Sequence, residues 1–404
     1  MNFSGLSLDQ APPIYVPFGF FITACILGIF GSLNIAFFGY SYVYFHFITI
    51  GFFGFIMIGA LFQMFPVMIG VGVKNVIPTF YTVFSSLLLG LASFYLGYIF
   101  DNHTLMAFAG VFLISGFLSF CAIFLHSLFK SSANYDATSV AMAIALIFLA
   151  IGTIFGLVIL LGYYNLNPLS LTLNPSIHIN TLFFGTIFIL IMGISFKIIP
   201  MFWVAKEYPP YCKQFILPLA TALTAIFILT KLLWIDIDDK IYYALFALPL
   251  LAFYSISIRR LKNRKRKLKD YSVYFLYIGL GLGFIGALLL LAQNFITVSS
   301  HIFLTLFGFG CVLSFIFGLL YKIVPFLCWF HLTSKGIFDI PTIKEFIEEK
   351  YIKAHFIVHI LFLALSFFSI KLFTSVLFVS FALLLFNITK AYLIYHGITK
   401  KVLQ

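Results

Sequence analysis

Twelve apolar stretches, each long enough to cross a hydrocarbon layer of about 30 Å, leave this chain essentially one kind of fold. They lie near 14–39, 41–72, 77–100, 104–129, 137–162, 176–205, 212–234, 240–258, 271–294, 298–330, 354–371 and 374–396. Membrane β-strands would alternate in polarity over about ten residues, and these runs are twice that length, so helices are expected. A water-soluble surface needs about a quarter of its residues charged. Here 9% are charged and 63% hydrophobic, so the solvent is lipid. The expected fold is all-α: a polytopic integral membrane protein of about twelve transmembrane helices, forming a single membrane domain over 1–404 with the lipid bilayer as its first partner.

The formal charge of +12 suggests nucleic acid at first sight, but in a membrane protein an excess of Lys and Arg marks loops kept in the cytoplasm, and no nucleic-acid partner is expected. The connection after the eighth stretch, RRLKNRKRKLK from Arg259 to Lys269, carries eight Lys and Arg in eleven residues. By parity Lys74, Lys130, Lys206, Lys213, Lys335, Lys400 and Lys401 fall on the same side, while Asp101, Asp236, Asp238 and Asp239 fall opposite. Both termini are therefore expected in the cytoplasm, in a bacterial-type inner (plasma) membrane. The alternative for the basic run is binding of anionic lipid or of a partner. Cys25, Cys121, Cys212, Cys311 and Cys328 include no C-x-x-C pair and suggest neither a disulfide framework nor a thiolate metal site. The N-terminal stretch has no basic segment and no small-residue cleavage site, so no removable signal peptide is expected.

An internal repeat emerges when the prolines near the ends of the second, sixth and tenth stretches are aligned. The pattern G-x7-G-x3-[QK]-x2-P reads Gly51, Gly59, Gln63, Pro66; then Gly185, Gly193, Lys197, Pro200; then Gly310, Gly318, Lys322, Pro325. The prolines are 134 and 125 residues apart, one four-helix unit each time, which gives pseudo-repeats over 14–130, 137–258 and 271–396. Glycines eight apart lie roughly on one helix face and admit either a neighbouring helix or a flat ligand. The proline kinks or ends its helix. Lys197 and Lys322 are expected to reach up to the headgroups.

Ionisable residues inside a membrane mark function by default. The twelve Asp and Glu all fall in loops or at span edges, which disfavours an ordinary ion-coupled transporter, although sites built from broken-helix backbone remain open. Histidine does enter the repeated spans, at His46, His178 and His301, each near the outer start of its helix. Neutral imidazole is a common axial ligand of haem iron and also binds copper. Counted back from the repeat prolines they stand at −20, −22 and −24. At about 100° per residue His46 and His301 share a face one turn apart, with His178 opposite. The competing reading is an interfacial histidine bonded to a backbone carbonyl. His355 and His359 share a face at i, i+4 and suit either a metal or a polar helix face.

Twelve spans in three four-helix units, with outer-side histidines on the second, sixth and tenth, resemble subunit I of haem–copper oxidases and nitric oxide reductases, and NnrS-type haem proteins of the bacterial inner membrane. The resemblance implies that His46 and His301 bind a low-spin haem b and that His178 takes a copper-site role, with copper the lesser candidate. Gly51 and Gly310 would let the macrocycle lie against the backbone. The seventh span, KQFILPLATALTAIFILTKLLWI, lacks the His-His pair of the oxidases, and the tenth has only His301 where they have two. The resemblance thus implies a single b-type haem used for electron transfer, sensing or cofactor handling, with a redox partner or an oxidase-related complex, and no oxygen reduction. The alternative is a membrane transporter or assembly factor for a small ligand, metal or cofactor.

Overall fold

The computed structural model of the chain describes residues 12–131, 135–163, 175–368 and 370–403. The stretch 1–11, read above for a leader, lies outside them. Among the described residues there are twelve long helices: α1 Tyr15–Phe38, α2 Tyr42–Ile69, α3 Val76–Ile99, α4 His103–Lys130, α5 Ala137–Tyr163, α6 Pro175–Trp203, α7 Cys212–Leu232, α8 Asp239–Lys262, α9 Tyr271–Ala292, α10 Ser300–Ser334, α11 Glu349–Ser366 and α12 Ile370–Leu403. Eleven are long and apolar enough to cross a membrane. α11 is set apart by three charges, Glu349, Lys350 and Lys353, in its first turns. The chain is an all-helical, multi-pass membrane protein.

Packing divides it into two compact units. The first comprises Met1–Gly72, Leu268–Gly279 and Leu304–Gln404, and the second Val73–Lys267 and Leu280–Phe303. These boundaries cut through α9 and α10 and do not follow the pseudo-repeat limits. The reason within the first unit is visible: α12 returns to lie along α1, so the two chain ends share one core. There Phe18 stacks on Tyr392 at 4.6 Å, Phe20 on Phe62 at 5.6 Å, and Phe52 of α2 meets Phe381 of α12 at 4.4 Å. In the second unit the most extensive contact joins α3 and α4. Glycine makes that approach close: a methyl at Gly90 would stand 2.7 Å from Leu113, and one at Gly116 2.9 Å from Leu87.

The three helices that carry the repeat pattern share a local irregularity that apolar periodicity did not announce. Each opens as α-helix, widens into a π-helical segment and returns to α: Phe47–Gly54 in α2, Thr181–Phe188 in α6 and Leu304–Leu313 in α10. Each π segment ends twelve residues before its proline. A π turn takes in an extra residue, so each segment turns its outer-end histidine relative to its proline by other than about 100° per residue, and it does so at the same register in all three helices. α2 and α6 stop three residues beyond Pro66 and Pro200 on left-handed Gly70 and Val204, whereas α10 continues to Ser334.

The second glycine of each pattern seats the preceding helix. A methyl at Gly59 would come within 2.6 Å of Phe20 Cβ on α1, one at Gly193 would overlap the Ala141 methyl on α5, and one at Gly318 would stand 2.8 Å from the Ser272 carbonyl on α9. The lysines expected at the headgroups do something more local. Lys197 Nζ pairs with Asp136 at 2.7 Å and Lys322 Nζ with Asp270 at 2.6 Å. Both aspartates also cap the next helix: Asp136 Oδ1 accepts from the Thr138 and Ser139 amides, and Asp270 Oδ1 from the Ser272 amide. One carboxylate thus ties the start of α5 to α6, and another the start of α9 to α10. Partial burial opposes the charge on Asp136, but Lys197 and the Ser139 donors outweigh it and hold that carboxyl below the usual carboxylate range.

In the first copy of the pattern Gln63 replaces the lysine. It is fully buried, and its Oε1 accepts a long bond from His331 Nε2 at 3.4 Å. The two ion pairs differ in exposure, 37% and 41% for Lys197–Asp136 against 21% and 17% for Lys322–Asp270. Lys322→Met is therefore expected to cost about 1–3 kcal/mol, since it strands a sheltered carboxylate, and Lys197→Met less than about 1 kcal/mol. Unfolding in mixed micelles reads both, and equal losses would show that burial does not set the difference.

Candidate functional site

The outer-end histidines lie where the π segments begin. His46 sits in the opening α-turn of α2, whose first amides are capped by the Ser41 hydroxyl (Val43 N to Oγ, 3.2 Å). Its Nδ1 is 2.6 Å from the Tyr42 carbonyl. A carbonyl only accepts, so Nδ1 carries the proton and the lone pair of the neutral ring is on Nε2. His178, in the first turns of α6, is placed the same way by a different partner: its Nδ1 donates to the Gly152 carbonyl of α5 at 2.8 Å, and its ring fills the space beside Gly156. In both cases a backbone carbonyl fixes the tautomer with the lone pair on Nε2. The competing reading, a histidine bonded to a carbonyl, describes the same contact.

His46 belongs to the first unit, and His178 and His301 to the second. His301 is half-buried in the opening turn of α10. Gly51 does not present an open face: a methyl there would stand 2.9 Å from Leu27 Cβ, so α1 occupies the surface expected to receive a flat ligand. Gly185, the matching glycine of α6, meets Phe148 in the same manner. Gly310 is buried in the π segment of α10.

A buried polar cluster inside the first unit contains the two histidines whose spacing suited either a metal or a polar helix face. His355 and His359 of α11 are completely buried. Asn387 Nδ2 of α12 donates to Tyr321 Oη of α10 at 2.9 Å, and Tyr321 Oη lies 2.5 Å from His355 Nδ1. His355 Nε2 lies 2.7 Å from Ser380 Oγ. Tyr321 has one proton and already accepts from Asn387, so full satisfaction has Tyr321 donating to Nδ1 and Nε2–H donating to Ser380. One turn further along α11, His359 Nε2 meets Ser314 Oγ at 2.6 Å. Phe317 packs against both rings, 4.5 Å from His355 and 5.2 Å from His359, with Phe275 alongside at 5.3 and 5.4 Å.

Two buried atoms of this cluster, His359 Nδ1 and Asn387 Oδ1, have no hydrogen-bond partner among the described residues. Since both nitrogens of His355 are engaged, it is held as a link in a hydrogen-bonded chain, and the two-histidine metal site allowed by i, i+4 spacing is not formed. Among the described residues no group of three or more His, Cys, Asp or Glu is gathered for a metal ion. The signal for the cluster was present in the spacing. Ser314 and Tyr321 on α10, and Ser380 and Asn387 on α12, are each seven residues apart, two turns along one face. Compared with known protein families and with curated proteins, the sequence matches none.

Proposed function

We propose that this membrane protein binds haem b, with His46 as an axial ligand, and uses it for electron transfer, sensing or cofactor handling rather than oxygen reduction. The observation that carries the reading is the bond from His46 Nδ1 to the Tyr42 carbonyl, which leaves Nε2 as the nitrogen with the lone pair that haem iron requires. His178 shares this tautomer and is the candidate for a copper role. A bound haem would supply one-electron chemistry, and the chain's part is to hold and orient the ring of His46. A redox partner or an oxidase-related complex belongs to the same reading.

The proposed architecture is three tandem four-helix copies. Its support is the recurrence of the π segment, the helix-seating glycine and, in two copies, the lysine paired to a capping aspartate. On this reading both termini lie in the cytoplasm of a bacterial-type cell, and the basic run at 259–269 supports it.

The test is spectroscopic. Protein purified from haem-replete cells is expected to be red with a low-spin reduced spectrum, and His46→Ala is expected to lose that spectrum or turn it high-spin. The His301 candidate, carried by the second unit, is tested separately by the same spectrum. His103→Ala, at an exposed helix start, is expected to change nothing. A colourless preparation, or a His46→Ala variant with the wild-type spectrum, ends the haem reading. A second reading, a transporter or assembly factor for a small polar ligand, metal or cofactor, is favoured by the unpartnered His359 Nδ1 and Asn387 Oδ1 inside the first unit, and colourless protein would leave it standing.

A further inference from the structure

We infer that the end of the second unit where α6 and α8 finish and α7 begins binds the phosphate headgroups of anionic phospholipid. Residues 204–213 bring Lys206 and Lys213, and 259–267 bring seven more Lys and Arg, while Glu207 is the one carboxylate in both stretches. No ion pair neutralises Lys206, Lys213, Arg259 or Arg260 among the described residues. Such a surplus is expensive unless anions are supplied from outside, and for helices that cross a bilayer the nearest anions are headgroups.

The cations sit on a built surface. Lys265 N donates to the Val204 carbonyl at 3.0 Å, which pins the basic loop to the end of α6. Arg264 turns the loop back on α8 through its own guanidinium, donating from Nη1 to the Leu261 carbonyl and from Nε to the Arg266 carbonyl, both at 3.2 Å. Arg260 of α8 lies within electrostatic reach of the buried Cys212 thiol, the residue next to Lys213 at the start of α7, so cations from two helices share this end of the unit. Beneath them Tyr208 is buried and bonded to Ser257 Oγ at 2.8 Å, a firm floor between the α6–α7 connection and α8.

The flank identifies the source of the phosphate. Tyr211 and Phe215, on either side of Lys213, are 49% and 68% exposed. Aromatic rings presented outward beside cations at a helix end are the signature of a residue belt at headgroup depth. A soluble phosphate compound would gain nothing from them. The inference is independent of any haem, and a haem-free protein would show it equally.

Native mass spectrometry of the full-length protein with phosphatidylglycerol or phosphatidylcholine supplies the test. Selective retention of phosphatidylglycerol is expected, falling about tenfold or more in Lys213→Gln/Arg260→Gln, since each cation near an anionic surface contributes about 1 kcal/mol. Lys400→Gln/Lys401→Gln, at the exposed end of α12, is expected to retain lipid as the wild type does. Equal retention of the two lipids, or a double variant that holds phosphatidylglycerol undiminished, overturns the inference. Displacement of the lipid by millimolar inorganic phosphate or nucleotide would also overturn it, by showing a site for soluble anions. If the double variant does not fold, wild-type retention across a salt series decides: loss between 0.05 and 0.5 M salt supports the headgroup site, at screening lengths of about 14 to 4 Å, and salt-insensitive retention refutes it.

Discussion

Gly193→Ala is expected to unfold the α5–α6 pair, and Ala141→Gly is expected to restore it. The added methyl would overlap the Ala141 methyl, with the Ala141 Cα only 3.6 Å away. Neither is the end of a flexible chain, so relief requires the two helices to separate. Separation breaks the bond from Thr138 Oγ1 to the Gly193 carbonyl, now 3.0 Å, and strains the Lys197–Asp136 pair one turn on. Overpacking costs about 1–3 kcal/mol and the lost hydrogen bond about 1 kcal/mol more, a large share of the stability of a small unit. Ala141→Gly alone should cost about 1 kcal/mol through helix propensity. The double variant should then be more stable than Gly193→Ala alone, the sign that identifies the clash. An additive pair would mean that Gly193 is not held by Ala141.

The second large effect belongs to His355. His355→Ala removes the acceptor of Tyr321 and the donor to Ser380 in one step and leaves a hole among Phe275, Phe317 and Tyr321. Each stranded hydroxyl costs about 1–2 kcal/mol, and lost packing adds to it, for a total of about 3–4 kcal/mol. Tyr321→Phe keeps the ring and should cost about 1–2 kcal/mol. Because the two residues are members of one chain of bonds, the combined variant should lose less than the sum. Unfolding of the three variants in mixed micelles measures this, with His103→Ala as the unperturbed reference. A His355→Ala change within about 0.5 kcal/mol would remove the case that the network organises the core of the first unit.

The spans were readable from sequence because lipid imposes one rule along the whole chain, and α1 to α10 begin and end within a few residues of where apolarity begins and ends. α11 starts five residues before its apolar run, where Glu349 favours a helix start that hydropathy alone does not register. The repeat pattern marked the right positions, and the packed helices show which of the open roles each takes. Lys197 and Lys322 were expected to reach for headgroups, because a one-dimensional pattern gives no hint that Asp136 and Asp270, at the start of the preceding helix, return to the same depth. Gly51 was legible as a close-approach position, but whether Leu27 or a ligand makes the approach is a property of the packed helices. The tautomers of His46 and His178 depend on which carbonyl each ring meets, one on its own helix and one on α5. Polar spacing on α10, α11 and α12 was visible residue by residue, and only their convergence turns it into a network.

The π segments act as phase shifters within their helices. Removing one residue from Phe47–Gly54 would let that stretch close into α-helix and would turn everything before it by about 100° relative to everything after it. Gly59 would keep its seat against Phe20 of α1, while His46 and its Tyr42 carbonyl would swing together to another side of α2. The direction of the outer-end histidine can therefore be reset by a single deletion without disturbing the packing at the other end. A helix divided in this way can be altered at its outer end, at the expense of the contacts Tyr44 and Phe47 make with Gly31 of α1, while Gly59 stays against Phe20.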